Sequence, residues 1–122
     1  MSDLGAFSVS LAVKDLQASI TFYEKLGFEA AGGGEGWMMM RMGDKVLGLF
    51  QGMFEGNLLT FNPGWTQGAE NVDNFTDIRA LQQAFKERGL SLVSEADPDS
   101  SGPASCVLQD PDGNQILIDQ HR

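Results

Sequence analysis

"DLQASITFYEKLGF", residues 15–28, places an acidic residue before a run whose apolar side chains Leu16, Ile20, Tyr23 and Leu26 recur close to a helical period, with Ala18 and Phe22 widening the face. Asp15 suits the N-cap of such a helix and Gly27 its C-terminal stop. Residues 77–90, "DIRALQQAFKERGL", repeat the arrangement, with Ile78, Leu81 and Phe85 facing inward, Asp77 as cap and Gly89 as stop. Asp15 and Asp77, Leu16 and Ile78, Ala18 and Ala80, Tyr23 and Phe85, and Gly27 and Gly89 all stand 62 residues apart in a chain of 122. A constant offset near half the chain length predicts two copies of one supersecondary unit.

The segments around each helix support that reading. Before the first helix, "FSVSLAV" alternates Val9, Leu11 and Val13 with Ser8, Ser10 and Ala12, as a half-buried strand does. After it come "FEAAG", "WMMMRM" and "KVLGLFQ", separated by "GGGEG" and "GDK", which read as turns. The first unit is therefore βαβββ. In the second, "NLLTFN" is the opening strand, and "LSLVSE", "ASCVLQ" and "NQILID" follow the helix, with Gly102-Pro103 and residues 110–113, "DPDG", marking a loop and a turn. The copies differ at one place: "PGWTQGAENVD", residues 63–73, intervenes before the second helix. A rival strand, "NVDNF", restores the symmetry but has poor strand composition, so "NLLTFN" is preferred. Long insertions in compact repeats often cover a site.

Length favours one domain over residues 1–122, built from modules of about 1–56 and 57–122. Apolar residues make up 42% and charged residues 20%, the range of a globular chain. Nothing approaches the ~20 consecutive apolar residues of a membrane span. The opening "MSDLGAFSVS" lacks a secretory pattern, so the expected location is cytoplasmic. With 17 acidic and 8 basic residues the net charge is −9, which repels phosphate backbones and anionic membranes and argues against nucleic-acid or membrane partners. Cys106 and His121 are each the only residue of their kind, which rules out an internal disulfide and a Cys/His zinc site. Cys106 reads as a buried strand thiol.

Two βαβββ units, a helix opening "KDLQASITFYEKLGF" and a closing "DPDGNQILI" resemble the vicinal oxygen chelate superfamily, which includes glyoxalase I, extradiol dioxygenases, fosfomycin-modifying enzymes and bleomycin resistance proteins. The resemblance implies an α+β fold in which the two modules form a curled, mixed eight-stranded sheet with helices on the convex face. It also implies a homodimer, and a divalent metal in the concavity of the family's enzymes. The family's ligand positions fall on Ser8, Gly48, Leu58 and Leu117, none of which is a usable ligand. A hard divalent cation requires converging oxygen or imidazole donors, whereas the acidic residues sit mostly at caps, turns and helix surfaces. Only Glu29 and Asp119 fall within strands. The expectation is no metal and no cofactor.

Strand alternation orders the remaining candidates. With Ile116 and Ile118 under a helix, Gln115, Leu117 and Asp119 face the other way, as do Ser8, Ser10, Ala12, Gly48 and Phe50. Such a lining suits a neutral or partly aromatic ligand. In "GWMMMRM", which also reads as a strand buried on both faces, Trp37 offers a stacking surface, Met39 an adaptable wall and Arg41 an anion anchor. Gln51 at a strand end, and Asn62 and Trp65 in "FNPGW", complete the ligand-binding candidates. His121 supported by Asp119 is a candidate general base, two residues apart on one strand.

Two functions fit these residues. One is a metal-independent protein that binds a small molecule in a concave pocket; the acidic charge attracts a cationic compound, and bleomycin resistance proteins sequester such drugs without chemistry. The other is a metal-free or atypical lyase, isomerase or oxygenase acting on a small carbonyl or aromatic compound through His121, Asp119 or Arg41.

Overall fold

Both helices start where the acidic caps place them. The computed structural model describes residues 3–122, and in these the elements run β1 (Ala6–Val13), α1 (Leu16–Leu26), β2 (Glu29–Gly34), β3 (Trp37–Met42), β4 (Lys45–Gln51), β5 (Leu58–Asn62), α2 (Ile78–Glu87), β6 (Leu92–Ser94), β7 (Ala104–Gln109) and β8 (Gln115–Gln120). This is the βαβββ succession twice over. The strand order β2-β3-β4-β1-β5-β8-β7-β6 makes an open mixed sheet of the α+β class. The chain divides into two compact units, Ser8–Leu58 and Leu59–Arg122, the latter also taking the residues up to Phe7. Among the described residues no helix is long and apolar enough to cross a membrane.

In the unit Ser8–Leu58, the Asp15 carboxylate accepts the Ala18 N–H at 3.1 Å and satisfies one of the helix's orphan donors. Gly27 closes α1 at φ 119°, a left-handed conformation that costs glycine no Cβ clash. Its N–H reaches the carbonyls of Tyr23 and Glu24, and the Phe28 N–H also returns to Tyr23. Leu16, Ile20 and Tyr23 pack on Met40 and Leu49, joined by Leu11, Val13, Phe28, Met38 and Leu47. Phe22 and Leu26 do not join them: they are 61% and 59% exposed. At 3.6 residues per turn both lie about a quarter-turn or more away from the Leu16–Ile20–Tyr23 seam, so the buried stripe is narrower than the sequence periodicity implies.

β2 also differs from expectation. "GGGEG" reads as a turn, yet the strand continues through Gly32, Gly33 and Gly34, which pair with Met39, Met38 and Trp37 across a bulge after Ala30. The turn shrinks to Glu35 and Gly36. The missing side chains make room for an aromatic ring: a Cβ on Gly34 would lie 2.6 Å from Trp37 Nε1.

In the second unit, Ile78, Leu81 and Phe85 of α2 bury against Cys106, Leu108 and Ile118, with Leu4, Phe61, Leu92, Ala104 and Ile116 at the margin. The Asp77 carboxylate accepts the Arg79 N–H at 2.9 Å. Gln120, one residue beyond the end expected for the last strand, is almost fully buried; its Oε1 accepts the Ile78 N–H at 2.7 Å, and its Nε2 donates to Asp77 Oδ2 and to the Arg122 carbonyl, both at 2.9 Å. The last strand is thereby tied to the start of α2. β6 is only three residues long, shorter than "LSLVSE" implies. "NLLTFN" does open the unit as β5, whereas the rival "NVDNF" contributes only an isolated bridge between Asn71 and Trp65.

Candidate functional site

Within Ser8–Leu58, the face of β1, β3 and β4 turned away from α1 carries the candidates. The sheet register explains their grouping: Ser10 pairs with Gly48 and Ala12 with Phe50, while Trp37 pairs with Phe50, Met39 with Gly48 and Arg41 with Val46. Since alternate residues share a face, Met38, Met40, Leu47 and Leu49 go under α1, and Trp37, Met39, Arg41, Gly48 and Phe50 go opposite. Trp37 and Phe50 stack with ring centroids 6.2 Å apart and planes 11° from parallel. Phe54 meets Phe50 at 5.3 Å and extends the aromatic strip. The sequence reading missed Phe54, although "LFQGMF" carries it directly after β4.

Gly48 gives this face its shape. A Cβ there would lie 2.5 Å from Phe50 Cε2 and 3.2 Å from Met39 Sδ, so the Phe50 ring and the Met39 thioether close over bare backbone. Arg41 stands across β2 and β3 from Glu29, and its Nη1 is 3.4 Å from the Gly43 carbonyl. Gln51 is engaged elsewhere: its Oε1 accepts the Leu16 N–H at 2.7 Å and supports the start of α1.

Within the second unit, β8 alternates as expected. Ile116 and Ile118 pack with α2, which sets Gln115, Leu117 and Asp119 on the other face, paired with Gln109, Val107 and Ser105. His121 follows on that face. Its Nε2 lies 3.0 Å from Asp119 Oδ2, and its ring sits 4.8 Å from Trp65, tilted by 52°. Trp65, distant in sequence, thus adjoins the Asp119–His121 pair. Asn62 is only 7% exposed; its Oδ1 accepts the Gly64 N–H at 3.1 Å, and its Nδ2 has no partner among the described residues.

What brings Trp65 to His121 is the inserted segment and the end of the chain. The Trp65 carbonyl accepts the Ala6 N–H at 2.9 Å, and the Gln67 amide exchanges two hydrogen bonds with the Phe7 backbone. Arg122 donates to the Val72 carbonyl at 2.7 Å and to the Gly64 carbonyl at 3.3 Å, and its guanidinium lies 4.9 Å from the Phe75 ring centroid. The sequence offers no local signal for this tether.

The metal positions implied by the resemblance do not fit a metal. Ser8 brings a lone hydroxyl, Gly48 lies beneath Phe50, and Leu58 and Leu117 bring hydrocarbon. Among the described residues no group of three or more His, Cys, Asp or Glu converges. Cys106 is fully buried under α2, and that burial, with Glu95 adding a smaller push, raises its thiol to about 11. It is a packing residue rather than a nucleophile.

The model of the Glyoxalase/Bleomycin resistance protein/Dioxygenase superfamily matches residues 5–118. No curated protein matches the chain. Among solved structures, the NAD-dependent benzaldehyde dehydrogenase from Legionella pneumophila superposes with a TM-score of 0.72 at 19% identity, covering 95% of this chain and 99% of that one. A glyoxalase/bleomycin resistance protein/dioxygenase superfamily member from Vibrio splendidus 12B01 gives 0.64 at 19% identity, covering 93% and 97%. The Mn(II)-bound glyoxalase from Novosphingobium aromaticivorans gives 0.61 at 17% identity, covering 98% of this chain and 40% of that one. At these identities the likeness is one of fold.

Proposed function

The chain belongs to the glyoxalase/bleomycin resistance protein/dioxygenase superfamily, and from that premise we propose that it binds a flat, partly aromatic small molecule without a metal, on the face of β1, β3 and β4 opposite α1. The observation that carries this reading is the Trp37–Phe50 stack. Aromatic faces held parallel offer a planar ligand a stacking surface at little conformational cost. Met39 adapts the wall to ligand shape, and Arg41 anchors an acidic substituent. The donor set supports the metal-free part, since the implied ligand positions hold a hydroxyl, a glycine and two leucines.

The test uses 2-naphthoate as probe. A saturable shift of the Trp37 indole N–H signal in the presence of EDTA, weakened in Arg41→Gln, is the expected result. No shift at Trp37, or binding that EDTA abolishes, refutes the reading.

A second reading rests on the 3.0 Å contact between His121 Nε2 and Asp119 Oδ2. In that reading His121 moves a proton on a small carbonyl compound while Asp119 orients its ring, as a metal-free lyase or isomerase does. Turnover that survives chelator and disappears in His121→Ala distinguishes the enzyme from the binder.

The proposed assembly is a homodimer in the cytoplasm. β2 supports the dimer, because it ends the strand order and all six of its residues, Glu29–Gly34, are exposed. An open edge of that length invites pairing with a second copy. Light scattering at micromolar concentration should give the mass of two chains; the mass of one refutes the dimer.

A further inference from the structure

We propose that the inserted segment builds a second binding site, for a small organic ammonium ion, in the cleft it forms with the residues preceding β1. The cleft has a volume of about 410 Å³, and its walls include Asp3, Pro63, Trp65, Thr66, Asn74 and Phe75. It lies wholly within the second unit and shares no residue with the Trp37–Phe50 face.

The segment has neither helix nor strand, yet its backbone is fixed at many points. The Val72 N–H donates to the Gly64 carbonyl at 2.9 Å, the Thr66 N–H to the Glu70 carbonyl at 2.8 Å, and the Glu70 N–H to Thr66 Oγ1 at 3.2 Å. Gln67 binds the Phe7 backbone from one side, and Arg122 binds the Val72 carbonyl from another. Asn74, in the wall just after the segment, holds φ at 58°, and Ala69 within the segment holds 63°. Asparagine adopts that region readily, whereas alanine holds it only where surrounding structure over-determines it. The segment beside the cleft is therefore fixed in one conformation.

Its chemistry selects the ligand. Among the described residues the lining holds one ionisable side chain, the Asp3 carboxylate, whose Oδ1 is fixed by the Gly5 N–H at 2.8 Å, and no Lys, Arg or His. The lining also holds two aromatic rings, Trp65 and Phe75. Phe75 carries the Arg122 guanidinium against its ring and Trp65 meets the His121 ring at 4.8 Å, so a ligand cation would use the part of Trp65 that lines the cleft, and tryptophan is the strongest of the cation–π partners. The net charge of −9 adds a field that concentrates cations. An arylalkylammonium ion satisfies these features, its one charged group answering the Asp3 carboxylate and the Trp65 ring and its apolar part answering Pro63.

The test is titration of the ¹⁵N-labelled full chain with phenethylammonium, and with 2-phenylethanol as its neutral counterpart. The chain has two tryptophans, so the two indole N–H signals report the two sites separately. The expected result is a saturable shift at Trp65, absent at Trp37, with 2-phenylethanol binding at least about threefold more weakly. Asp3→Asn weakens the ammonium by about threefold, as loss of an exposed charge partner does, and added salt weakens it in the wild type. Trp37→Phe leaves phenethylammonium binding intact while abolishing that of 2-naphthoate, so failure of either site is seen independently of the other. Equal affinity for the alcohol, no effect of Asp3→Asn, or a shift confined to Trp37 overturns the proposal.

Discussion

Trp37 and Phe50 face each other as partners across β3 and β4, and their rings stack 6.2 Å apart at 11°. Such a pair contributes roughly 0.5–1.5 kcal/mol beyond the area it buries. Phe50→Leu should therefore lower the unfolding free energy by about 1 kcal/mol in urea titration and weaken 2-naphthoate binding together with it. A variant that binds as the wild type does would remove Phe50 from the site.

Gly48 is the contact on which that stack rests. Gly48→Ala places a methyl 2.5 Å from the far edge of the Phe50 ring, which must swing aside. The expected outcome is a modest stability loss, of about 1–2 kcal/mol as for other overpacked positions, with a clear change in the near-UV circular dichroism of Trp37. An unchanged spectrum would mean that Phe50 does not cover Gly48 in solution.

Much of this was legible in advance because the signals were local. Asp15 and Asp77 cap helices at the constant offset, and Ile116 and Ile118 reveal the buried side of β8 by alternation. Where the reading failed, a tertiary partner decided the outcome. Gly32–Gly34 carry turn composition, yet pairing with β3 holds them extended. Phe22 and Leu26 have core composition, but α1 meets the sheet along a narrower seam. The adjacency of Trp65 and His121 depends on Arg122, Gln67 and the first residues of β1, which no periodicity connects.

Asp77 gives the fold a pH dependence. Burial raises its carboxyl, but hydrogen bonds from Gln120 and Arg79, together with the Arg79 charge, outweigh that and hold it below the usual value. A depressed folded-state value means stability that is present above the unfolded value of about 3.9 and lost as pH falls through the folded one. Asp77→Asn keeps the cap and removes the charge. In urea titrations from pH 7 to pH 2 the wild type should be the more stable by roughly 0.5–1 kcal/mol near neutrality, the half-exposed site being solvent-screened, and the difference should close towards pH 2. A constant difference would contradict the assignment.

Cys106 should be silent in the native protein. With its thiol buried and raised to about 11, it should not react with a disulfide reagent at pH 8 until denaturant is added. Rapid native reaction would mean that the core under α2 opens.

The metal-free binding face centred on Trp37 can be probed in one titration: 2-naphthoate added to ¹⁵N-labelled, EDTA-treated protein, following the two indole N–H signals. The Trp37 signal should move saturably and identically before and after EDTA treatment, while the Trp65 signal stays in place. A shift confined to Trp65, no shift at either tryptophan, or a shift that returns only when a divalent metal is restored would contradict it.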